Sequence, residues 1–291
     1  MTVEAELDHR LGLWRQLAEA GGPSGIQPSR LRELGIYVGS QGVFFNKERT
    51  DRISPGGVTM SVLHTGGSYA DDFSTDGVLY HYPATARAPT RDASEIAATK
   101  AAATLRLPVF VITNSNRSPS LRDIHLGWVV DWDDDARLFL ILFGEVPLPT
   151  ARADAEVVAD EGFILFDPKP PGSRIIAARD GQQRFKFEVL KRYGAQCAAC
   201  AVAVLDVLDA AHLVPKAKGG TDHPANGIVL CALHHRAFDA GLFAIEPETH
   251  RIQVRAKGPS HEAQRISRKD LRHLRAPPHA DAVLWLWERW K

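Results

Sequence analysis

Cysteine is scarce in this chain: there are three in 291 residues, and all of them fall between positions 197 and 231. An odd number in one short stretch excludes the disulfide framework of a small secreted domain and points to thiols kept reduced for a metal. Long hydrophobic runs are missing as well. The run Leu138–Phe143 is among the longest, against about 20 apolar residues for a membrane-spanning helix, so no membrane partner is expected. The first residues, MTVEAELDHR, are acidic and hold no apolar signal core, which with the cysteine usage gives the expectation of a cytoplasmic protein. No repeat or low-complexity tract interrupts the sequence. Net charge is absent too, with 35 Lys and Arg against 35 Asp and Glu. That excludes a uniformly basic protein that coats phosphates without selectivity.

The charge is nevertheless uneven. Residues 184–291 carry 17 Lys and Arg against 11 Asp and Glu, a balance of +6, and residues 1–183 carry the compensating −6. The positive part also holds the densest chemistry, from Cys197 to Gly241. Cys197-x-x-Cys200 paired with Cys231-x-x-His234 supplies four sulfur and imidazole ligands at knuckle spacing, which suits a tetrahedral structural Zn2+. Interleaved with it are His212, Asn226 and His235, at intervals of fourteen and nine residues. Residues 201–212 are rich in Val and Leu and read as a strand ending at His212. A Gly/Pro/Asp loop follows over 215–224, then a short strand over 226–230 and a helix over 234–240. Strand, loop, strand and helix would thus surround one ion.

This segment resembles an HNH nuclease of the ββα-metal family, on Ala211-His212, Asn226-Gly227, Leu230-Cys231, His235 and Phe238-Asp239-Ala240-Gly241. The resemblance implies hydrolysis of phosphodiester bonds. His212 would be the general base, since a neutral imidazole accepts a proton near pH 7. Asn226 would orient His212 by fixing its ring tautomer. His235 would hold a divalent cation, Mg2+ or Mn2+, that stabilises the phosphorane and the leaving oxygen. Many relatives carry an Asp or His immediately before the base, where this chain has Ala211. Position 209 shares a strand face with 211, so Asp209 is the candidate second ligand. His234 and His235 could exchange roles, but the Cys-x-x-His spacing favours His234 for zinc.

The rest of the chain reads as a second domain with connections. Residues 4–20 read as an amphipathic helix ended by Gly21-Gly22-Pro23. β-rich runs lie at 35–45, 58–63, 77–82, 108–113, 127–132 and 138–143, with one helix capped at Ser94 and running to about 105. Within this region stands Gly66-Gly67-Ser68-Tyr69-Ala70-Asp71-Asp72, followed by Tyr80 and Tyr82. Tyrosine rings and a carboxylate can grip a flat heterocycle by stacking and edge hydrogen bonds. The pattern resembles the SRA domain, a reader of 5-methylcytosine that flips the base from the duplex. That resemblance implies Tyr69 and Tyr82 as the sandwich and Asp72 as reader of the Watson–Crick edge, with Tyr80 the other choice of partner. Ser68 is an insertion relative to the family pattern.

The expected fold is α+β: an N-terminal SRA/PUA-like curved β-barrel and a C-terminal HNH nuclease with structural zinc. The expected organisation is a helix and loop over 1–30, a reader over 31–150, a linker over 151–183 containing Asp167-Pro-Lys-Pro-Pro-Gly, and the nuclease over 184–291. Within the last, 185–193 reads as a helix, 243–246 with 251–254 as a hairpin, 262–274 as a basic helix and 282–290 as an aromatic helix. Together the two resemblances imply an endonuclease that reads 5-methylcytosine or 5-hydroxymethylcytosine in double-stranded DNA and cuts nearby, as a homodimer because one HNH site cuts one strand. The alternatives are an HNH nuclease directed by phosphorothioate or adenine methylation, and a reader that does not cleave.

Overall fold

The computed structural model describes residues 1–19, 21–38, 42–64, 73–84, 89–147, 163–167 and 181–291. Two compact units divide the chain, residues 1–153 and 154–291. Tyr69, Asp72 and most of the expected linker lie outside the described residues. Among the described residues, no helix is long and apolar enough to cross a membrane.

The first unit is a mixed α+β layer. Its elements are α1 (Val3–Glu19), α2 (Pro28–Glu33), β1 (Val43–Phe45), α3 (Lys47–Thr50), β2 (Thr59–His64), β3 (Gly77–His81), α4 (Pro89–Thr104), β4 (Val109–Ser115), β5 (Ser118–Asp133) and β6 (Leu138–Phe143). The six strands lie in the order β1-β2-β4-β5-β6-β3. The β2–β4 pair is parallel and the others antiparallel. The central strand β4 explains the uniform apolar run VFVI. Val109 and Val111 face a core shared with Ala102 of α4, while Phe110 and Ile112 face one shared with Leu13 and Leu17 of α1. A strand covered on both faces has no polar alternation to show.

Buried charge also fixes α1. Arg10 is fully buried; its Nε donates to Glu6 Oε1 at 2.8 Å, and Nη1 donates to the carbonyls of Thr59 and Pro108 at 2.7 Å each. Glu6 Oε2 in turn accepts from Arg49 Nε at 2.7 Å. A buried guanidinium is tolerated only with such partners, and these join α1 to the starts of β2 and β4.

Among the described residues the expected curved barrel is an open strand order, with β1 and β3 at the edges. One cause is visible at 35–37, expected as strand. Gly35 has φ +67, and the amides of Ile36 and Tyr37 donate to Leu31 O, so this segment caps α2 and sends Ile36 into the core. β1 keeps only three residues. A side chain spans the two edges instead: Tyr80 Oη on β3 donates to Gly42 O, before β1, at 2.9 Å. Two further expectations are corrected. The helix α4 starts at Pro89, and Ser94 lies inside it, donating to Thr90 O at 2.8 Å rather than capping. β5 begins nine residues before the expected 127, in a hairpin with β4.

The second unit contains α5 (Gln182–Tyr193), β7 (Leu208–His212), β8 (Gly227–Cys231), α6 (Ala232–Asp239), β9 (Phe243–Ile245), β10 (Ile252–Val254) and α7 (Ala280–Trp290). β7 and β8 form an antiparallel ribbon, with His212 opposite Gly227. The expected strand over 201–212 shrinks to its last five residues, after a 3-10 turn at Leu205–Val207. The expected helix over 262–274 is absent. Arg265 takes φ +59, and the amides of Ser267 and Arg268 both donate to Ala199 O in the first cysteine knuckle, so tertiary partners replace helical ones. α7 packs on its own unit: Ala282 and Val283 are buried, and Trp290 Nε1 donates to Gly241 O at 2.8 Å.

Candidate active site and metal centre

The four expected zinc ligands converge. Cys197, Cys200, Cys231 and His234 are all buried, and their ligand atoms lie within 4.8 Å of one another. His234 Nδ1 is 3.5 Å from Cys197 Sγ and 3.2 Å from Cys231 Sγ, and Cys200 Sγ is 4.0 Å from Cys231 Sγ. A tetrahedron of zinc–ligand bonds near 2.0–2.3 Å has edges of roughly 3.3–3.8 Å, so the set fits that ion. The ring orientation fits too. His234 Nε2 lies 3.1 Å from Gln264 O, a carbonyl that can only accept. Nε2 therefore carries the proton and Nδ1 turns its lone pair to the sulfurs. Burial pushes the Cys197 thiol up to about 12, so three thiolates here need a cation to balance them. Among the described residues this is the one cluster of three or more such ligands.

His212 closes β7. Its ring stacks on Phe185 of α5, with centroids 3.8 Å apart and planes within 10°. Its Nε2 is 2.9 Å from Asp222 Oδ1. Burial works against the Asp222 charge, but hydrogen bonds from His212 and Lys216 outweigh it and hold the carboxyl below its usual range. Lys216 bonds Asp222 Oδ2 and, at 3.1 Å, Asp167 Oδ2. Asp167 belongs to a short segment bridged to the loop through Phe166 and Gly220, with Asp167 N donating to Gly219 O at 2.8 Å.

Asn226 is fully buried and does not hold the ring. Its Oδ1 accepts from Val214 N at 2.9 Å, and its Nδ2 donates to Val214 O at 3.1 Å and Thr221 O at 2.8 Å. The expected amide-to-imidazole bond is therefore corrected: Asn226 fixes the backbone two residues past His212, and Asp222 contacts the ring. The physical reason is that the loop folds back over Asn226, whose amide is consumed by otherwise unpaired main-chain groups. Gly220 permits this closure. A Cβ there would sit 1.9 Å from Val214 O. Gly220→Ala is expected to destabilise the unit by roughly 1–3 kcal/mol or more, since the obstacle is backbone. Thermal unfolding should show a lower midpoint and a nuclease assay reduced cleavage; an unaffected melt would mean the loop moves freely.

The other expected pair is formed. Asp209 Oδ2 lies 3.3 Å from His235 Nδ1, and Asp239, one turn further along α6, places Oδ2 at 3.7 Å from His235 Nε2. The hydrogen bond to Asp209 raises the His235 pKa, burial opposes it, and the Asp239 charge assists. The bond from His235 holds Asp209 low against burial, with help from the Lys186 charge. Consecutive residues of α5 therefore border both pairs: Phe185 beside His212, Lys186 toward Asp209. One carboxylate and one imidazole with open positions suit Mg2+, which keeps waters and takes substrate phosphate oxygens.

In the first unit, Tyr82 is not an open ring face. It is 6% exposed, its Oη donates to Asp134 Oδ1 at 3.0 Å, and its ring lies 4.4 Å from that of Phe139. Burial first, then that bond, raises its pKa. Phe73 bridges Val78 at the start of β3, whereas Tyr82 follows the end of β3, about 13 Å further on at the rise of a strand. Beside Phe73 stands a set not anticipated from sequence. His64 and Phe73 stack with centroids 5.6 Å apart, and His125 and Phe143 stack at 4.6 Å.

Sequence reading also missed Asp222, Lys216, Asp167 and Phe185 as site residues. Gly219-Gly220-Thr221-Asp222 was the available signal, a tight turn that delivers a carboxylate.

Residues 197–246 match the family model described as HNH endonuclease. No curated protein matches the chain. Among solved structures, the modification-dependent TagI restriction endonuclease is similar over 92% of this chain and 93% of its own, with 18% identity and a TM-score of 0.36. The Type IV phosphorothioation-dependent restriction endonuclease ScoMcrA is similar over 99% of this chain and 64% of its own, less than two thirds of its length, with 15% identity and a TM-score of 0.28. The family match falls on the residues that hold the zinc ligands, His212, Asn226 and the Asp209–His235 pair, and the second unit thus carries an HNH endonuclease domain, a metal-dependent DNA-cleaving module.

Proposed function

We propose that this chain is a modification-dependent DNA endonuclease that reads 5-methylcytosine, or 5-hydroxymethylcytosine, with its first unit and hydrolyses nearby phosphodiesters with its second. The observation that carries the cleavage half is His212, a partly exposed imidazole held by Phe185 and Asp222 inside the HNH domain. In the proposed step, His212 takes a proton from water as the water oxygen bonds to phosphorus. The phosphorus–oxygen ester bond breaks, and the leaving oxygen is protonated by solvent. A divalent cation held by Asp209 and His235 would supply positive charge for the developing phosphorane. The Asp209–His235 contact answers the lack of a ligand at Ala211, and so favours cleavage over a DNA clamp.

The reader half rests on Gly66-Gly67-Ser68-Tyr69-Ala70-Asp71-Asp72 and its SRA-like pattern. The rings of His64 and Phe73 flank that stretch and add stacking surface for a flipped base. Tyr82 has the part of a core residue in this reading. A homodimer would supply the second cut. The test is a plasmid assay with Mg2+ or Mn2+ on substrates carrying 5-methylcytosine, 6-methyladenine, phosphorothioate or no modification. Cleavage confined to the cytosine-modified DNA supports the proposal. Cleavage of another modified substrate replaces the base assignment, and no cleavage at all favours a reader.

Tyr69→Ala and Asp72→Ala are expected to bring the ratio of methylated to unmethylated duplex binding close to one. Tyr82→Phe should leave that ratio alone and cost about 0.5–1.5 kcal/mol of stability for the lost hydrogen bond. Competition binding and thermal unfolding read the two effects separately; loss of discrimination in Tyr82→Phe would return Tyr82 to the pocket.

A further inference from the structure

We infer that Asp222 is the positioning residue of the endonuclease base, fixing His212 as the tautomer protonated on Nε2 so that Nδ1 is the atom that accepts the proton from water. This rests on the reading of His212 as base. The geometry is specific about the nitrogen. An ionised carboxylate can only accept, so the 2.9 Å contact with Asp222 Oδ1 requires a proton on Nε2. Phe185 covers one ring face at 3.8 Å and leaves rotation about the ring axis as the remaining freedom, which the Asp222 bond removes. Asn226, buried on Val214 and Thr221, cannot take this part.

Asp222 is itself held. Lys216 bonds its second oxygen and is shared with Asp167. Asp167 arrives on a segment, residues 163–167, that is paired with the loop through the Phe166–Gly220 bridge and through Thr221 N to Leu165 O at 3.3 Å. The ring support, Phe185, comes from α5. Both lie before the residues matched as HNH, 197–246, so the functional catalytic unit extends at least from Asp167 to the end of that match.

The test uses the full chain with Asp222→Ala and Asp222→Asn, each checked for an unchanged melt and zinc content. Single-turnover cleavage of a saturating DNA substrate is expected to fall about 10²-fold in rate, the low end of general-base contributions, with the DNA dissociation constant unchanged. Imidazole nitrogen NMR, with the His212 signal assigned from a His212→Gln variant, is expected to show Nε2 protonated in the parent and a mixture of tautomers in Asp222→Ala. Wild-type rates in both variants, or a His212 ring already protonated on Nδ1 in the parent, would overturn the inference while leaving His212 as base. The two failures are distinguishable: if His212→Ala still cleaves, the base assignment itself falls. If Asp222→Ala does not fold, Asp222→Asn decides the rate, and the parent spectrum decides the tautomer without either variant.

Discussion

Cys231→Ser is expected to empty the zinc site and to unfold most of the second unit while the first stays folded. The expectation comes from what the four ligands join. Cys197 and Cys200 follow α5, Cys231 ends β8, and His234 sits in the first turn of α6. The irregular segment that should have been a helix also hangs on this centre, through Gln264 O to His234 and through Ala199 O to the amides of Ser267 and Arg268. One ion would thus tie together the cysteine knuckle, the end of β8, the start of α6 and the segment around Gln264. Zinc binding in small domains contributes on the order of 10–16 kcal/mol, comparable with the whole stability of a domain, about 5–15 kcal/mol. Against this stands the apolar core around Phe187, Val189, Leu208 and Val229, all at most 1% exposed, which would keep part of the unit collapsed. With the ion term lost, a midpoint drop above about 10 °C is expected. Metal analysis should find one zinc per parent chain and none in the variant, and a chelator should reproduce the variant's melt. A zinc-free parent with an undisturbed melt would reduce the four residues to ordinary buried side chains.

The zinc ligands were legible in the sequence because each pair is local. Cys-x-x-Cys and Cys-x-x-His need one turn apiece, and only one long-range meeting has to be supposed. The Asp209–His235 pair needed one step more, a strand facing a helix, and it too is formed. The partner of His212 was not legible. Asn226 is nearer the motif's pattern, but Asp222 wins because the loop folds back through a contact that only Gly220 allows. That closure is a tertiary fact with no periodic signature. The same limit explains 262–274, where Arg, Lys and Leu favour a helix in isolation but Ala199 O takes the amides. It explains Tyr82 as well. Strand alternation places Tyr80 and Tyr82 on one face, and nothing in that pattern tells whether the face opens to a ligand or closes on Phe139.

His212→Ala is expected to lower the cleavage rate by about 10²–10⁴-fold with little change in DNA affinity. The ring is partly exposed, and its contacts are one stacked phenyl and one carboxylate, so truncation removes a proton acceptor without opening the core. Nothing in the set Asp209, His235 and Asp239 is bonded to it, which permits a sharper comparison. A ligand to the cation can be partly replaced by raising the cation concentration, because its loss appears as weaker metal binding. A base cannot. His235→Ala should therefore recover rate at high Mn2+, whereas His212→Ala should stay flat across the same titration. Added imidazole offers the converse arm. It can enter the space left beside Phe185 and accept the proton, so it should restore some rate to His212→Ala and none to His235→Ala. If instead Mn2+ rescues His212→Ala, the ring is a cation ligand. The carboxylate of Asp222 would then be orienting a metal site, and the water-activating group would have to be sought elsewhere in the domain.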